Sequence, residues 1–327
     1  MHVRHFGSDT LKVSEIGLGT WQLGANWGPV DDRTAEATLA AAVDAGVNFL
    51  DTADVYGDGR SEERIARFLK TRREKIVVAT KLGRRGDPGW PANFTRETMR
   101  RHTEDSLRRL GVDALDLTQL HCVPTEVLRR GEVFEHLREL KEAGKIRRFG
   151  ASVETMEEAH LCLDQPGIAS LQIIFNVLRQ KPIDTLLGAA KRKGVAIIVR
   201  LPLASGLLAD KFTARTTFGA EDHRSFNRDG QAFNVGETFS GLPFEKGLEI
   251  VAELRTLVPF GMPMADFALR WILDHDAVSV VIPGASHPQQ ARANVVPSML
   301  PHLGLDQHEK LTEFYRNEVL PHIRGPY

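Results

Sequence analysis

The chain has 327 residues, 42% hydrophobic and 26% charged, a balance that supports a large core and excludes a disordered tail, a fibre and a disulfide-stapled miniprotein. Its 42 Lys and Arg residues against 43 Asp and Glu give a net charge of -1, so no global positive field draws in nucleic acid or an anionic membrane. Two cysteines, Cys122 and Cys162, form neither a disulfide framework nor a metal-ligand cluster. With no apolar leader in MHVRHFGSDTLKV and no apolar run of membrane length, the expectation is a cytoplasmic protein without a metal, acting on a small partner.

In chain order, residues 1–13 come first, two short stretches around Gly7-Ser8-Asp9 that signal a β-hairpin able to plug the bottom of a barrel. Eight short apolar runs follow, at 16–20, 47–53, 75–81, 115–121, 147–152, 171–176, 195–201 and 278–284. Each is nearly continuously apolar rather than alternating, as parallel strands buried on both faces require. Amphipathic helical patterns separate them at 33–45, 61–70, 95–109, 132–143, 154–163, 184–193 and 245–257, followed by 263–274, 288–295 and a last one at about 306–319. Asp31 with Asp32, Ser61 and Thr95 are the expected helix starts, and Gly46, Gly111, Gly144 and Gly194 the expected stops. The long polar segment 203–244, which carries Phe218, Phe226, Phe233 and Phe239, reads as a lid or binding loop.

Strand then helix, repeated eight times, means a parallel sheet with helical crossovers. A doubly wound sheet would show a G-x-G-x-x-G turn after its first strand, whereas here Gly17 and Gly19 run into Thr20-Trp21. The predicted fold is therefore a single-domain (β/α)8 barrel over 1–327. With hairpin, long segment and C-terminal stretch set aside, what remains is close to the roughly 250 residues of one barrel.

In a barrel the working residues sit at the C-terminal ends of the strands. Collected there are Thr20 and Trp21, Asp51, Lys81, His121, Ser152, Gln172, Arg200 and Gly284, with Tyr56 in the loop after the second run. Alone, Lys81 would read as an ion pair with Asp51, and His121 or Tyr56 as structural groups. Together a carboxylate, a lysine, a histidine and a tyrosine make chemical sense. An ammonium beside a phenol pulls its pKa down, the carboxylate keeps the lysine charged, and the phenol donates a proton to a carbonyl oxygen steadied by the histidine. The protein holds no hydride donor, so a nicotinamide must supply it.

GLGTW, FLDTADVYG, ATKLG, LHCV, RFGAS, LQIIFN, LPLASGLLADK and IPGASHPQQARAN stand in this order along the chain. In these motifs the chain resembles the aldo-keto reductase superfamily. The resemblance implies NADPH-dependent reduction of small aldehydes or ketones by a tetrad of Asp51, Tyr56, Lys81 and His121. It also implies a cofactor site in which Gly19, Thr20, Trp21 and Asp51 line the nicotinamide end and Ser152 and Gln172 hold the carboxamide. Pro202, Leu203, Ser205, Gly206 and Lys211 would follow the pyrophosphate, and Gly284, Ser286, Gln290 and Asn294 the adenosine half.

The chain departs from the family pattern in three places. Val153 stands where Asn is common, and Arg200 where an aromatic ring often stacks on the nicotinamide. Arg200 either faces the ring unpaired, disfavouring the cationic oxidised cofactor, or pairs with Asp222, Asp229 or Glu237. The segment 284–294 lacks the usual cation for a 2′-phosphate, leaving Ser286, His287, Gln290 and Arg292, so NAD(H) stays open beside NADP(H). A Schiff-base lyase using Lys81 and a nicotinamide-binding regulatory protein are the alternative readings. Trp27, Trp90 and the phenylalanines of the long segment predict an apolar substrate pocket.

Overall fold

Ten strands and the helices between them follow the predicted order in a computed structural model that describes residues 1–24 and 30–327. Trp27 lies outside the described residues. The first two strands, β1 (Val3–His5) and β2 (Lys12–Ser14), form the antiparallel hairpin, paired Val3 to Ser14 and His5 to Lys12. The other eight are β3 (Leu18–Gly19), β4 (Phe49–Asp51), β5 (Val77–Leu82), β6 (Leu117–His121), β7 (Phe149–Ser152), β8 (Ile168–Ile174), β9 (Ala196–Arg200) and β10 (Val278–Val281). All neighbours pair in parallel in chain order. Parallel bridges from Ile16 to Val281 and from Gly19 to Gly284 close the sheet on itself.

Two separate cores follow from the two faces of these strands. A large one packs the outward residues against the helices. A small one fills the barrel with Phe49, Val77, Ala79, Leu117, Ala196, Ile198, Val280 and Ile282, and the hairpin adds Phe6 and Val13 to it. Ser8 donates to the Gly194 carbonyl at 2.8 Å, and Arg148 grips Asp9 at 2.6 Å. Both contacts lie just ahead of strand starts, so the hairpin seals the N-terminal end as expected.

The start and stop signals hold with one exception. Asp31 and Thr95 cap their helices by accepting from the amides of Thr34 and Thr98, and the four stop glycines all have positive φ, a region open to glycine at little cost. Ser61 is not a cap. The helix Arg60–Leu69 begins from Gly59, whose φ is 91° and where a Cβ would come within 2.5 Å of Arg109. Ser61 points inward instead, its hydroxyl 2.8 Å from those of both Thr20 and Thr52, tying the ends of β3 and β4. Thr125–Arg130 is an additional helix in the loop after β6 that periodicity over so few residues does not reveal. None of the helices among the described residues is long and apolar enough to cross a membrane.

Candidate active site

Side chains two positions apart on a strand share a face. Phe49 fills the barrel, so Asp51 points inward above it; Val77 and Ala79 bring Lys81, Leu117 brings Gln119 and His121, and Ala196 with Ile198 brings Arg200. Strand register does the rest, aligning Lys81 with Gln119, His121 with Ser152, and Ser152 with Gln172. The polar layer at the C-terminal mouth is thus the continuation of the apolar layers below it.

At the centre, Lys81 Nζ donates to Asp51 Oδ1 at 2.5 Å, to the Thr52 carbonyl at 2.9 Å and to Tyr56 Oη at 3.4 Å. The second Asp51 oxygen accepts from Gln172 at 2.7 Å and from Gln119 at 3.4 Å. His121 meets the Tyr56 ring edge-on, 5.8 Å between centroids, and Trp21 stacks on its other side at 5.9 Å. The four residues of the expected tetrad therefore stand together, and Gln119 joins them; its amide beside Lys81 was legible only from the register.

The electrostatics refine the expectation for Tyr56. Burial raises the phenol above its ordinary value and outweighs the lowering by Lys81, so the ammonium limits the rise rather than reversing it. Burial opposes charge on Lys81, but Asp51 and Tyr56 more than restore it and the net shift is upward. Burial, followed by Arg84, Lys81 and Arg200, holds His121 well below the usual histidine range, a neutral imidazole.

These groups open into one cavity of about 290 Å³. Every expected cofactor residue lines it except Asn294, which instead donates to the Gly284 carbonyl at 3.1 Å and steadies that turn. Ser152 donates to Gln172 Oε1 at 3.4 Å, and the Gln290 side chain accepts from the amide and hydroxyl of Ser286 at 3.0 and 3.2 Å. The cavity also reaches Gln22, Phe212, Arg224 and Glu237, which the motifs did not single out as lining residues. Arg224 belongs to the long segment, fixed by a two-oxygen fork from Asp222 at 2.9 and 2.6 Å and lying 4.4 Å over the Phe218 ring.

Arg200 is paired, and the partner is Glu237, at 3.5 Å; Asp222 and Asp229 are engaged by Arg224 and Arg324. Arg200 also donates to the Val153 carbonyl at 3.2 Å and lies 3.6 Å from Cys122 Sγ. Glu237 meets Arg84 at 3.4 Å, and Arg84 reaches Glu154 at 3.0 Å. Burial opposes ionisation of Glu237, yet Arg200 and Arg84 hold it below the usual carboxylate range, while burial and Glu237 push Glu154 up. The Cys122 thiol and these two carboxylates lie within 4.8 Å of one another, a spacing open to a metal, but both carboxylates already face guanidinium groups.

The phenylalanines of the long segment do not form the apolar pocket expected of them. Phe218 and Phe239 pack on Phe212 and Phe244, with centroids 4.9–6.4 Å apart, as the segment's own core. Phe212 touches the cavity from that cluster, and Phe233 lies 6.3 Å from Trp21. Trp90 is 54% exposed and donates to the Gly83 carbonyl.

Residues 15–316 match the sequence model of the aldo/keto reductase family. Among characterised relatives, the aldo-keto reductase YhdN of Bacillus subtilis (strain 168) is 31% identical over 86% of this chain and 84% of its own. The NADH-specific methylglyoxal reductase of Escherichia coli (strain K12) is 29% identical over 88% and 91%. Among solved structures, the holo form of aldo-keto reductase AKR11C1 from Bacillus halodurans superposes with a TM-score of 0.78 at 28% identity, covering 96% of each chain.

Proposed function

The chain belongs to the aldo/keto reductase family of oxidoreductases, and on that premise we propose that it reduces aldehydes or ketones to alcohols with NADPH, as one catalytic unit in which Tyr56 is the general acid. The observation that carries this reading is the buried chain Asp51–Lys81–Tyr56 with His121 against the phenol, on a cavity that Lys211, Arg224, Ser286 and Gln290 also line.

The residues fit a nicotinamide dinucleotide. Gln172 spends its N–H on Asp51 and keeps its oxygen toward Ser152, an acceptor and a hydroxyl suited to a carboxamide. At Gly284 a Cβ would come within 2.2 Å of the Gln22 amide, so this closely packed cavity wall admits no side chain. When bound, the cofactor supplies the hydride. Tyr56 stays protonated across neutral pH and gives its proton to the carbonyl oxygen as that oxygen gains charge. The resulting phenolate is stabilised by the Lys81 ammonium, which Asp51 holds in place, and neutral His121 offers an N–H to the same oxygen.

The cation missing from 284–294 has replacements in the long segment, since Lys211 and Arg224 line the same cavity as Ser286 and Gln290. Lys211 as a cation, and Arg224 as a planar donor already forked by Asp222, suit the phosphorylated cofactor. The test is kcat/KM with NADPH and NADH over a panel of carbonyl substrates, in the wild type and Arg224→Ala. A preference for NADPH that shrinks in the variant supports the assignment, and a preference for NADH overturns it. The lyase reading is disfavoured by the charged, ion-paired Lys81, because a Schiff-base lysine must be neutral.

A further inference from the structure

Hydride transfer changes the charge of the nicotinamide ring, neutral when reduced and cationic when oxidised. A fixed cation beside the ring therefore penalises one redox form, and a cation with its own counter-charge does not. Arg200 ends β9 inside the cavity shared with Tyr56, Ser152 and Gln172, its side chain only 11% exposed. Its field is felt at His121, and that of Glu237 at Tyr56. Both groups thus act on the end of the cavity that holds Tyr56 and His121.

We propose that the Arg200–Glu237 pair sets the relative affinity of the site for oxidised and reduced nicotinamide, Arg200 disfavouring the cationic ring and Glu237 cancelling that bias. This rests on the oxidoreductase reading above and deepens it. Glu237 is the less obvious partner because it lies 37 positions along the chain, in the segment that returns over the barrel mouth. The Ser205 hydroxyl donates to the Glu237 carbonyl at 3.0 Å, pinning the backbone while the side chain reaches Arg200 and Arg84. The counter-charge is consequently delivered by the long segment. Seating of that segment favours the oxidised cofactor more than the reduced one.

The two partners have opposite signatures. Glu237→Gln removes the carboxylate facing Arg200, while Arg84 keeps Glu154 at 3.0 Å, and raises the ratio of the NADP⁺ and NADPH dissociation constants. Arg200→Met leaves Glu237 and Glu154 sharing Arg84, an excess of negative charge at this part of the cavity, and lowers the ratio. One unit charge acting over a site of this size through an effective dielectric of about 20 gives a change on the order of tenfold. The measurement is isothermal titration of NADPH and of NADP⁺ into the wild type, each variant and the double variant, in which the ratio returns toward the wild-type value. A merely structural pair would weaken both cofactor forms in parallel, so a ratio unmoved in whichever variant folds overturns the assignment. A wild-type protein that binds neither form overturns the oxidoreductase reading itself, a separate and recognisable outcome.

Discussion

Replacing Tyr56 by Phe removes one oxygen from a ring that is otherwise held by Trp21 and His121. The hydroxyl makes a single long hydrogen bond, 3.4 Å to Lys81, which keeps its shorter bonds to Asp51 and the Thr52 carbonyl. The stability cost is that of one weak hydrogen bond, about 0.5–1 kcal/mol, and the fold and the cofactor cradle remain. Catalysis has no such reserve. A positioned acid contributes roughly 10²–10⁴ in rate, or about 2.7–5.4 kcal/mol of barrier, and among the described residues beside Tyr56 none stands ready to replace it, since His121 is held neutral and Lys81 is committed to Asp51. Steady-state turnover with an aldehyde substrate, set beside a NADPH titration and a thermal melt, separates the effects. The expected result is kcat lowered by at least about a hundredfold with NADPH affinity and melting temperature nearly unchanged. Turnover within a few-fold of wild type refutes Tyr56 as the acid, and loss of NADPH binding refutes the division between acid and cradle.

Lys81→Met strands the Asp51 carboxylate, only 4% exposed, and is expected to cost about 3–5 kcal/mol in urea unfolding as well as turnover; a loss below about 1 kcal/mol would mean that Asp51 finds another cation. Asp54 is wholly buried with neither carboxyl oxygen hydrogen-bonded, and burial followed by the neighbouring Glu62 pushes it up to about 8. A carboxyl raised in the folded state stabilises below its unfolded pKa near 4 and loses that contribution as pH rises to about 8. The wild-type melting temperature should therefore fall across that window relative to Asp54→Asn, and parallel profiles would refute the assignment. Arg324 donates to the carbonyls of Arg228, Gly241 and Leu242 and to Asp229, strapping the C-terminal tail to the long segment. Arg324→Ala loosens that segment by about 1–2 kcal/mol, and stopped-flow release of NADPH should quicken several-fold; an unchanged release rate would detach the strap from cofactor binding.

The barrel was legible because each strand carries its own signal. Runs such as KIVVATK need no distant partner to read as buried parallel strands, and glycines such as Gly111 and Gly194 mark helix ends by a local backbone need. The central constellation was legible for the same reason, since Asp51, Lys81 and His121 continue the inward parity of the barrel core beneath them. Ser61 was misread because serine before a helix usually caps it; its side chain is spent on Thr20 and Thr52 instead, a pairing across 41 and 9 positions that local pattern does not carry. The phenylalanines were misplaced because an aromatic in a long loop looks alike from sequence whether it faces a ligand or, as Phe239 does, another ring.

What sequence motifs left open at Arg200 and at the missing phosphate cation has one physical origin. Both questions concern charge balance, and a charge can be balanced by any chain segment that passes within a few ångströms, whatever its position in sequence. Arg224, which lines the same cavity as Ser286 and Gln290, and Glu237, which pairs with the guanidinium at the end of β9, both come from the segment folded over the mouth. On the cofactor reading proposed above, one segment brings both a guanidinium forked by Asp222 and a carboxylate paired with Arg200 to the same dinucleotide. On that reading, replacing Arg224 alters the choice between the phosphorylated and unphosphorylated cofactor, and replacing Glu237 the choice between its oxidised and reduced forms.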